Sequence, residues 1–284
     1  MFPGQGSQAK GMGADLFDRF AEMTGEADRI LGYSIKELCL DDPRGELGQT
    51  QFTQPALFIV NALTYRARME AGAAAPDFVA GHSLGEYNAL LAAGCFDFAT
   101  GVTLVKERGA LMSRVSGGGM SAVIGLEPGR IQQLLHDSEE GRRLDVANFN
   151  SFEQTVIAGP KPDLDAVKPA LEAAGARMVV ALNVSAPFHS RYMREAQNEF
   201  AAFLQRFELK APSIPVVSNV RARRYEGDMV RATLSEQIGN SVRWLDSMLY
   251  LMEKPEPTFE EVGPGQVLTK LLKQIQKRAT NRAR

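Results

Sequence analysis

Phe78-Val79-Ala80-Gly81-His82-Ser83-Leu84-Gly85 joins a short apolar run to a glycine-flanked serine, and a helical pattern from Leu84 to Ala93 continues from it. G-x-S-x-G between a strand and a helix is the nucleophile-elbow pattern. The turn is so sharp that only glycine fits on either side of the serine. The serine hydroxyl is thereby lifted clear of the backbone, at the positive end of the following helix. The alternative reading is a serine in an ordinary strand-to-helix turn.

A serine hydroxyl is a weak nucleophile until a neighbouring base takes its proton. The sequence holds three histidines: His82, His136 and His189. His82 adjoins Ser83, and a one-residue step on an elbow points its side chain elsewhere. His136 lies in the polar run His136-Asp137-Ser138-Glu139-Glu140, the composition of a solvated helix end. That leaves His189, in Val184-Ser185-Ala186-Pro187-Phe188-His189-Ser190, as the best available base if Ser83 is activated.

Composition sets the bounds. With 284 residues, 44% hydrophobic and 23% charged, the chain suits one large domain or a domain with a sizeable insertion. A net charge of −2 gives no overall field for nucleic acid or an anionic membrane. Cys39 and Cys95 sit singly in apolar surroundings, so reduced thiols in the cytoplasm are expected rather than a disulfide. The scattered cysteines and histidines form no metal-ligand spacing. No apolar stretch approaches the ~20 residues that span a bilayer. Met1-Phe2-Pro3-Gly4 does not open like a signal peptide. A glycine turn at 3–8 ordinarily follows a strand, so a few further residues are expected ahead of Met1.

From Ala14 to Ala110 the pattern is mostly helical, with Pro55 where a helix would start and a helix from about Phe98 to Met112 that carries Arg108. Ser116-Gly117-Gly118-Gly119 reads as a flexible joint. Beyond it, strands are expected at 121–126, 144–149, 154–158 and 177–182, with helices at 128–138 and 164–174. The order β-α-β-β-α-β is that of a ferredoxin-like unit. The expected organisation is α/β: a catalytic part from 1–115 and 187–284, with a small subdomain inserted at 116–186. After His189 come a helix to about Phe207, strands at 214–218 and 258–262, and a last helix. Val267, Leu268, Leu271, Leu272 and Ile275 form the apolar face of that helix, and Lys270, Lys273, Lys277, Arg278, Arg282 and Arg284 lie elsewhere on it and in the tail. The plain reading of that basic run is a solvated tail.

Phe2-Pro3-Gly4-Gln5-Gly6-Ser7-Gln8 is a second glycine turn. It matches the dinucleotide fingerprint weakly, with Asp28 at about the right distance, but a proline before the first glycine and Asp28 in a helical pattern speak against that use. Such a turn can instead bring backbone N–H groups over a developing oxyanion. An elbow enzyme takes one donor from the residue after the nucleophile, here Leu84, and one from a separate loop, for which Gln5 is the candidate.

Together with Gly81-His82-Ser83-Leu84-Gly85-Glu86-Tyr87, Arg108 in Glu-Arg-Gly-Ala-Leu-Met, Phe188-His189-Ser190, Asn150-Ser151, Ser241-Val242-Arg243-Trp244 and Glu261-Val262-Gly263-Pro264-Gly265, this turn resembles malonyl-CoA:acyl carrier protein transacylases over nearly the whole chain. The resemblance implies an α/β-hydrolase-like large subdomain with a parallel sheet and a ferredoxin-like insertion. It implies transfer of malonyl from malonyl-CoA to the phosphopantetheine thiol of an acyl carrier protein through an ester on Ser83. No cofactor is then needed, because the CoA thioester is a substrate. His189 would serve as base, oriented by a backbone carbonyl that aligns with Gln237. Backbone N–H groups of Gln5 and Leu84 would hold the oxyanion, and Arg108 would grip the malonyl carboxylate bidentately. Phe188 resembles the malonyl-type residue of polyketide acyltransferases, although Ala186 departs from that pattern, and it points to a free-standing, monomeric enzyme serving a polyketide synthase rather than fatty-acid synthesis. Arg221, Arg223, Arg224 and the C-terminal helix are candidates for meeting an acidic carrier. Two other readings share part of this set: a thioester hydrolase using Ser83 and His189, and a non-catalytic module that docks a carrier protein.

Overall fold

The computed structural model describes residues 1–227 and 229–282, so Arg284 of the basic run lies outside them. Three short helices, α1 (Ala14–Phe17), α2 (Ala21–Leu31) and α3 (Ile35–Leu40), lead into the long α4 (Thr50–Glu70). Pro55 lies inside α4, not at its start. The turn ahead of it closes because Phe52 and Thr53 donate their N–H groups to Gln49 O and the Thr53 hydroxyl donates to Leu47 O, so the proline costs only one ladder bond near the beginning. From Thr53 to Leu63 every residue of α4 is buried. Each buried Leu, Ile or Phe there contributes about 1.5–3 kcal/mol.

β1 (Val79–Ala80) then meets α5 (Gly85–Ala92), followed by α6 (Phe98–Arg114), which the Asp97 side chain caps by accepting from Thr100 N. The inserted segment runs β2 (Gly118–Ile124), α7 (Pro128–Asp137), β3 (Asp145–Ser151), β4 (Gln154–Pro160), α8 (Lys161–Ala173) and β5 (Met178–Ala181). Its antiparallel sheet has the order β3-β4-β2-β5, which is ferredoxin-like. The expected joint at 116–119 is half strand: Gly118 and Gly119 pair with Pro160 and Gly159. A Cβ on Gly118 would lie 2.7 Å from Pro187, so glycine serves close approach there rather than flexibility. Residues alternate along the sheet. Val123, Ile157 and Val179 face α7 and α8, whereas Met120, Ala122, Val156 and Ala158 join the core of the main body.

The chain returns through α9 (Arg194–Leu204), β6 (Val216–Val217), α10 (Val230–Glu236), α11 (Trp244–Met252) and α12 (Val267–Arg282). β1 and β6 pair in parallel, and Phe2 adds a parallel bridge to Gly81 on the other side. Residues 258–262 do not form the expected strand; the segment is tied to the chain start, where Val262 N donates to Met1 O and the Met1 amino group donates to Glu260 O. On α12, Leu268, Leu271, Leu272 and Ile275 are buried as expected, but Val267 is exposed. No helix among the described residues is long and apolar enough to cross a membrane.

Candidate active site

The elbow is built by interlocked backbone. A Cβ on Gly81 would fall 1.9 Å from Gly85 C, and one on Gly85 would fall 2.1 Å from Phe2 O, so neither position tolerates a side chain without movement. Asn219, just past β6, clamps the turn from both sides: its Oδ1 accepts from Ser83 N at 2.7 Å and its Nδ2 donates to Gly81 O at 2.7 Å. Ser83 has φ 50°, a left-handed conformation that the surrounding bonds must hold. His189 has φ 57°, so both members of the pair carry this strain.

Ser83 Oγ lies 2.7 Å from His189 Nε2, and His189 Nδ1 lies 2.9 Å from Gln237 O. A carbonyl only accepts, so Nδ1 carries the ring proton and Nε2 is left to accept from the serine hydroxyl. His189 is 4% exposed. Burial, then the nearby Arg108 charge, lowers its pKa to about 3, so the imidazole is neutral and available as a base. His82 points away as expected: its Nε2 meets Asn150 Oδ1 at 2.8 Å and its ring packs edge-on to Trp244. His136 is exposed at the end of α7.

Arg108 is only 1% exposed and does not pair with Glu107 at the surface. Its Nη1 donates to Gln54 Oε1 at 2.7 Å, and its Nη2 donates to Gln237 Oε1 at 2.9 Å and to Ser83 Oγ at 3.1 Å. Its Nε is buried without a hydrogen-bond partner, and its guanidinium carbon sits 5.3 Å from the centre of the Tyr87 ring. Ser83 Oγ therefore lies between a neutral imidazole and a buried cation.

The Pro3-Gly4-Gln5 turn passes over this elbow. A Cβ on Gly4 would lie 2.3 Å from His82 O and 3.6 Å from Leu84 N, and Asn61 Nδ2 fixes the loop by donating to Pro3 O. Among the described residues, none accepts from the N–H of Gln5 or Leu84. Asp28 lies in α2, and its carboxylate accepts from Ile35 N, which leaves the Phe2–Gln8 glycine turn without a dinucleotide partner. Phe188 is buried in the main core beside His189.

Sequence reasoning missed Gln54, Glu86, Asn219 and Tyr225. Glu86 is wholly buried, accepts from Tyr225 Oη at 2.5 Å, Gln237 Nε2 at 2.5 Å and Asn219 N at 3.2 Å, and is pushed up to about 7 by burial. Its place in the first turn after the elbow was the one available signal. A cleft of about 490 Å³ between the inserted segment and the main body reaches His189. Arg191 and Arg194 line it, and Arg221, Arg223 and Arg224 do not.

The family model described as acyl transferase domain matches residues 1–284. The chain is 52% identical over 280 residues to the polyketide biosynthesis malonyl CoA-acyl carrier protein transacylase PksC of Bacillus subtilis (strain 168), covering 98% of this chain and 97% of that one. Among solved structures it is similar to a malonyl CoA-acyl carrier protein transacylase from Burkholderia pseudomallei, with a TM-score of 0.93 and 50% identity over 98% and 97% of the two chains. It is also similar to the transacylase in the complex PlMCAT:AntF, where a type II PKS acyl-carrier protein is bound to its malonyl-transacylase, with a TM-score of 0.92 and 38% identity over 97% and 92%. A serine on a strained elbow, its neutral histidine and a buried arginine thus sit within a fold and a sequence shared end to end with these enzymes, and the chain belongs to the acyl transferase domain family.

Proposed function

We propose that the chain moves a malonyl group from malonyl-CoA to the phosphopantetheine thiol of an acyl carrier protein, through an ester on Ser83. The observation that carries this reading is the buried Arg108 guanidinium 3.1 Å from Ser83 Oγ, a cation with no anion in contact among the described residues. A malonyl group attached at that oxygen brings the missing carboxylate. The names of the relatives agree with it.

In the first half-reaction His189 Nε2 takes the hydroxyl proton as Ser83 Oγ attacks the thioester carbonyl. Gln237 O steadies the imidazolium through Nδ1–H. The N–H groups of Gln5 and Leu84 receive the oxyanion; a donor of this kind is worth about 2.7–4 kcal/mol in transition-state stabilisation. His189 then gives its proton to the departing CoA thiolate. In the second half the carrier's thiol comes in through the cleft, gives its proton to His189 and attacks the ester. Phe188 narrows the space available to an α-methyl branch. The main body (1–115 and 187–284) would supply the chemistry, and the insertion (116–186) would supply one wall of the cleft. Similarity to PksC supports service to a polyketide synthase.

A competition assay offering malonyl-, methylmalonyl- and acetyl-CoA with a carrier protein tests this; malonyl should dominate the loaded carrier. Arg108→Ala should weaken malonyl transfer roughly 10- to 150-fold more than acetyl transfer, the equivalent of about 1.5–3 kcal/mol for a hydrogen bond to a charged group. Equal losses for both acyl groups would remove the carboxylate role. Release of free malonate in the presence of carrier would favour a hydrolase.

A further inference from the structure

Glu86 is a fully buried carboxylate whose hydrogen-bond partners among the described residues are all neutral: the Tyr225 hydroxyl, the Asn219 N–H and the Gln237 amide. Buried carboxylates ordinarily sit against a cation. Here the cation is one side chain away. Gln237 donates to Glu86 through Nε2 and accepts from Arg108 through Oε1, so its amide relays between the two charges. Arg108 in turn bonds, among the described residues, to the neutral groups of Gln54, Ser83 and Gln237 and sits over the neutral Tyr87 ring. The titratable groups around Glu86 are Arg108 from α6, Tyr225 from the loop after β6 and Tyr87 from its own helix, with Cys95 next to Tyr225.

On the function proposed above, a malonyl carboxylate must come to Arg108. Two carboxylates would then share one buried guanidinium, and repulsion between them is several-fold stronger there than in water. Neutralising one is the cheaper arrangement. Burial already holds the Glu86 carboxyl at about 7, far above an ordinary acid, so Glu86 is the group that yields.

We propose that Glu86 is the resident counter-charge of Arg108 and is discharged when substrate binds, taking a proton from solvent as the malonyl carboxylate takes over the guanidinium. The proton goes to Oε1, because the Tyr225 hydroxyl facing it can accept as well as donate, whereas the Gln237 amide nitrogen facing Oε2 only donates. Acetyl groups carry no second charge and trigger no uptake. Glu86 acts through Gln237 and Arg108, as a positioning residue that touches no reacting atom.

The test uses the intact protein and a non-transferable malonyl-CoA analogue, with a ketone in place of the thioester, beside its acetyl counterpart. Calorimetric titration in two buffers of different ionisation enthalpy reads protons taken up on binding. Near neutral pH the malonyl analogue should bind with net proton uptake and the acetyl analogue with none. The Kd of the malonyl analogue should rise towards tenfold per pH unit above about 7, as linkage to one proton requires. Glu86→Gln imitates the discharged state, so it should abolish the uptake and flatten the pH dependence. Malonyl binding without uptake, equal uptake with the acetyl analogue, or uptake that survives Glu86→Gln each overturns the proposal. If the variant fails to fold, the malonyl-against-acetyl comparison on the unaltered protein still decides. Failure of the malonyl analogue to bind at all would instead strike at the malonyl-transfer reading itself.

Discussion

Ser83, His189 and Arg108 meet within 2.7 and 3.1 Å of a single oxygen, although they lie on an elbow, a loop and a helix far apart in sequence. A free histidine titrates near 6.5, but His189, buried and beside Arg108, is lowered to about 3. The base must be neutral to accept a proton, so a lowered pKa extends its working range towards acid. At saturating malonyl-CoA, the rate of Ser83 ester formation should stay level between about pH 8 and about pH 5. Rapid-quench mass spectrometry checks this, and half-loss near pH 6.5 would mean an ordinary histidine. Ser83 and His189 were legible because an elbow pattern and a count of three histidines leave few options. Gln237 was not readable from residue type, since its backbone carbonyl holds His189 and any residue supplies one. Gln54 and Asn219 were invisible for a related reason. A lone amide in a helix or after a strand carries no pattern until folding aims it.

At the scale of elements, the site depends on one crossing, where the Phe2–Gln5 segment runs over the β1–α5 turn. Gly85→Ala would push a methyl group to 2.1 Å from Phe2 O, displacing the loop that carries the Gln5 N–H. We expect at least ~100-fold slower ester formation, the size of a lost oxyanion donor, with Ser83 and His189 still in place; an acylation assay that found this variant near normal would detach the loop from catalysis. The cap of α6 is a contrasting case. Asp97→Ala should cost about 1 kcal/mol in urea unfolding and leave acyl preference unchanged, because Arg108 lies three turns along the helix and is held by Gln54 and Gln237. The inserted β-α-β-β-α-β rhythm was readable because its strands are seven residues long in three cases and the helices between them start or stop at Pro128 and Gly175. The parallel sheet was readable only from the apolar runs at 78–80 and 214–218 and from the resemblance, since β1 and β6 are two residues each, below any periodicity. Pro55 misled for a physical reason: proline is favoured in the first turn of a helix, and here the helix begins at Thr50, about one turn ahead of it.

Over the whole molecule, the insertion is joined to the main body by more than its two chain crossings. Phe149 N donates to Val242 O, Val242 N donates to Ala147 O, and one continuous core includes Met120, Ala122, Ala147, Val156 and Ala158 with Leu57, Phe58 and Phe188. Such sharing favours a single cooperative transition. Thermal unfolding followed by the fluorescence of the only tryptophan, Trp244, should coincide with unfolding followed by far-UV circular dichroism; two separated transitions would show that the insertion melts alone. The left-handed backbone at Ser83 and His189 bears on the molecule in another way. Glycine would relax both positions and destroy both functions, so heat resistance and turnover pull against each other at the same two residues. A mutant library sorted only for survival at high temperature would drift towards sturdy, inert proteins, and any such screen of this scaffold has to count products as well as survivors.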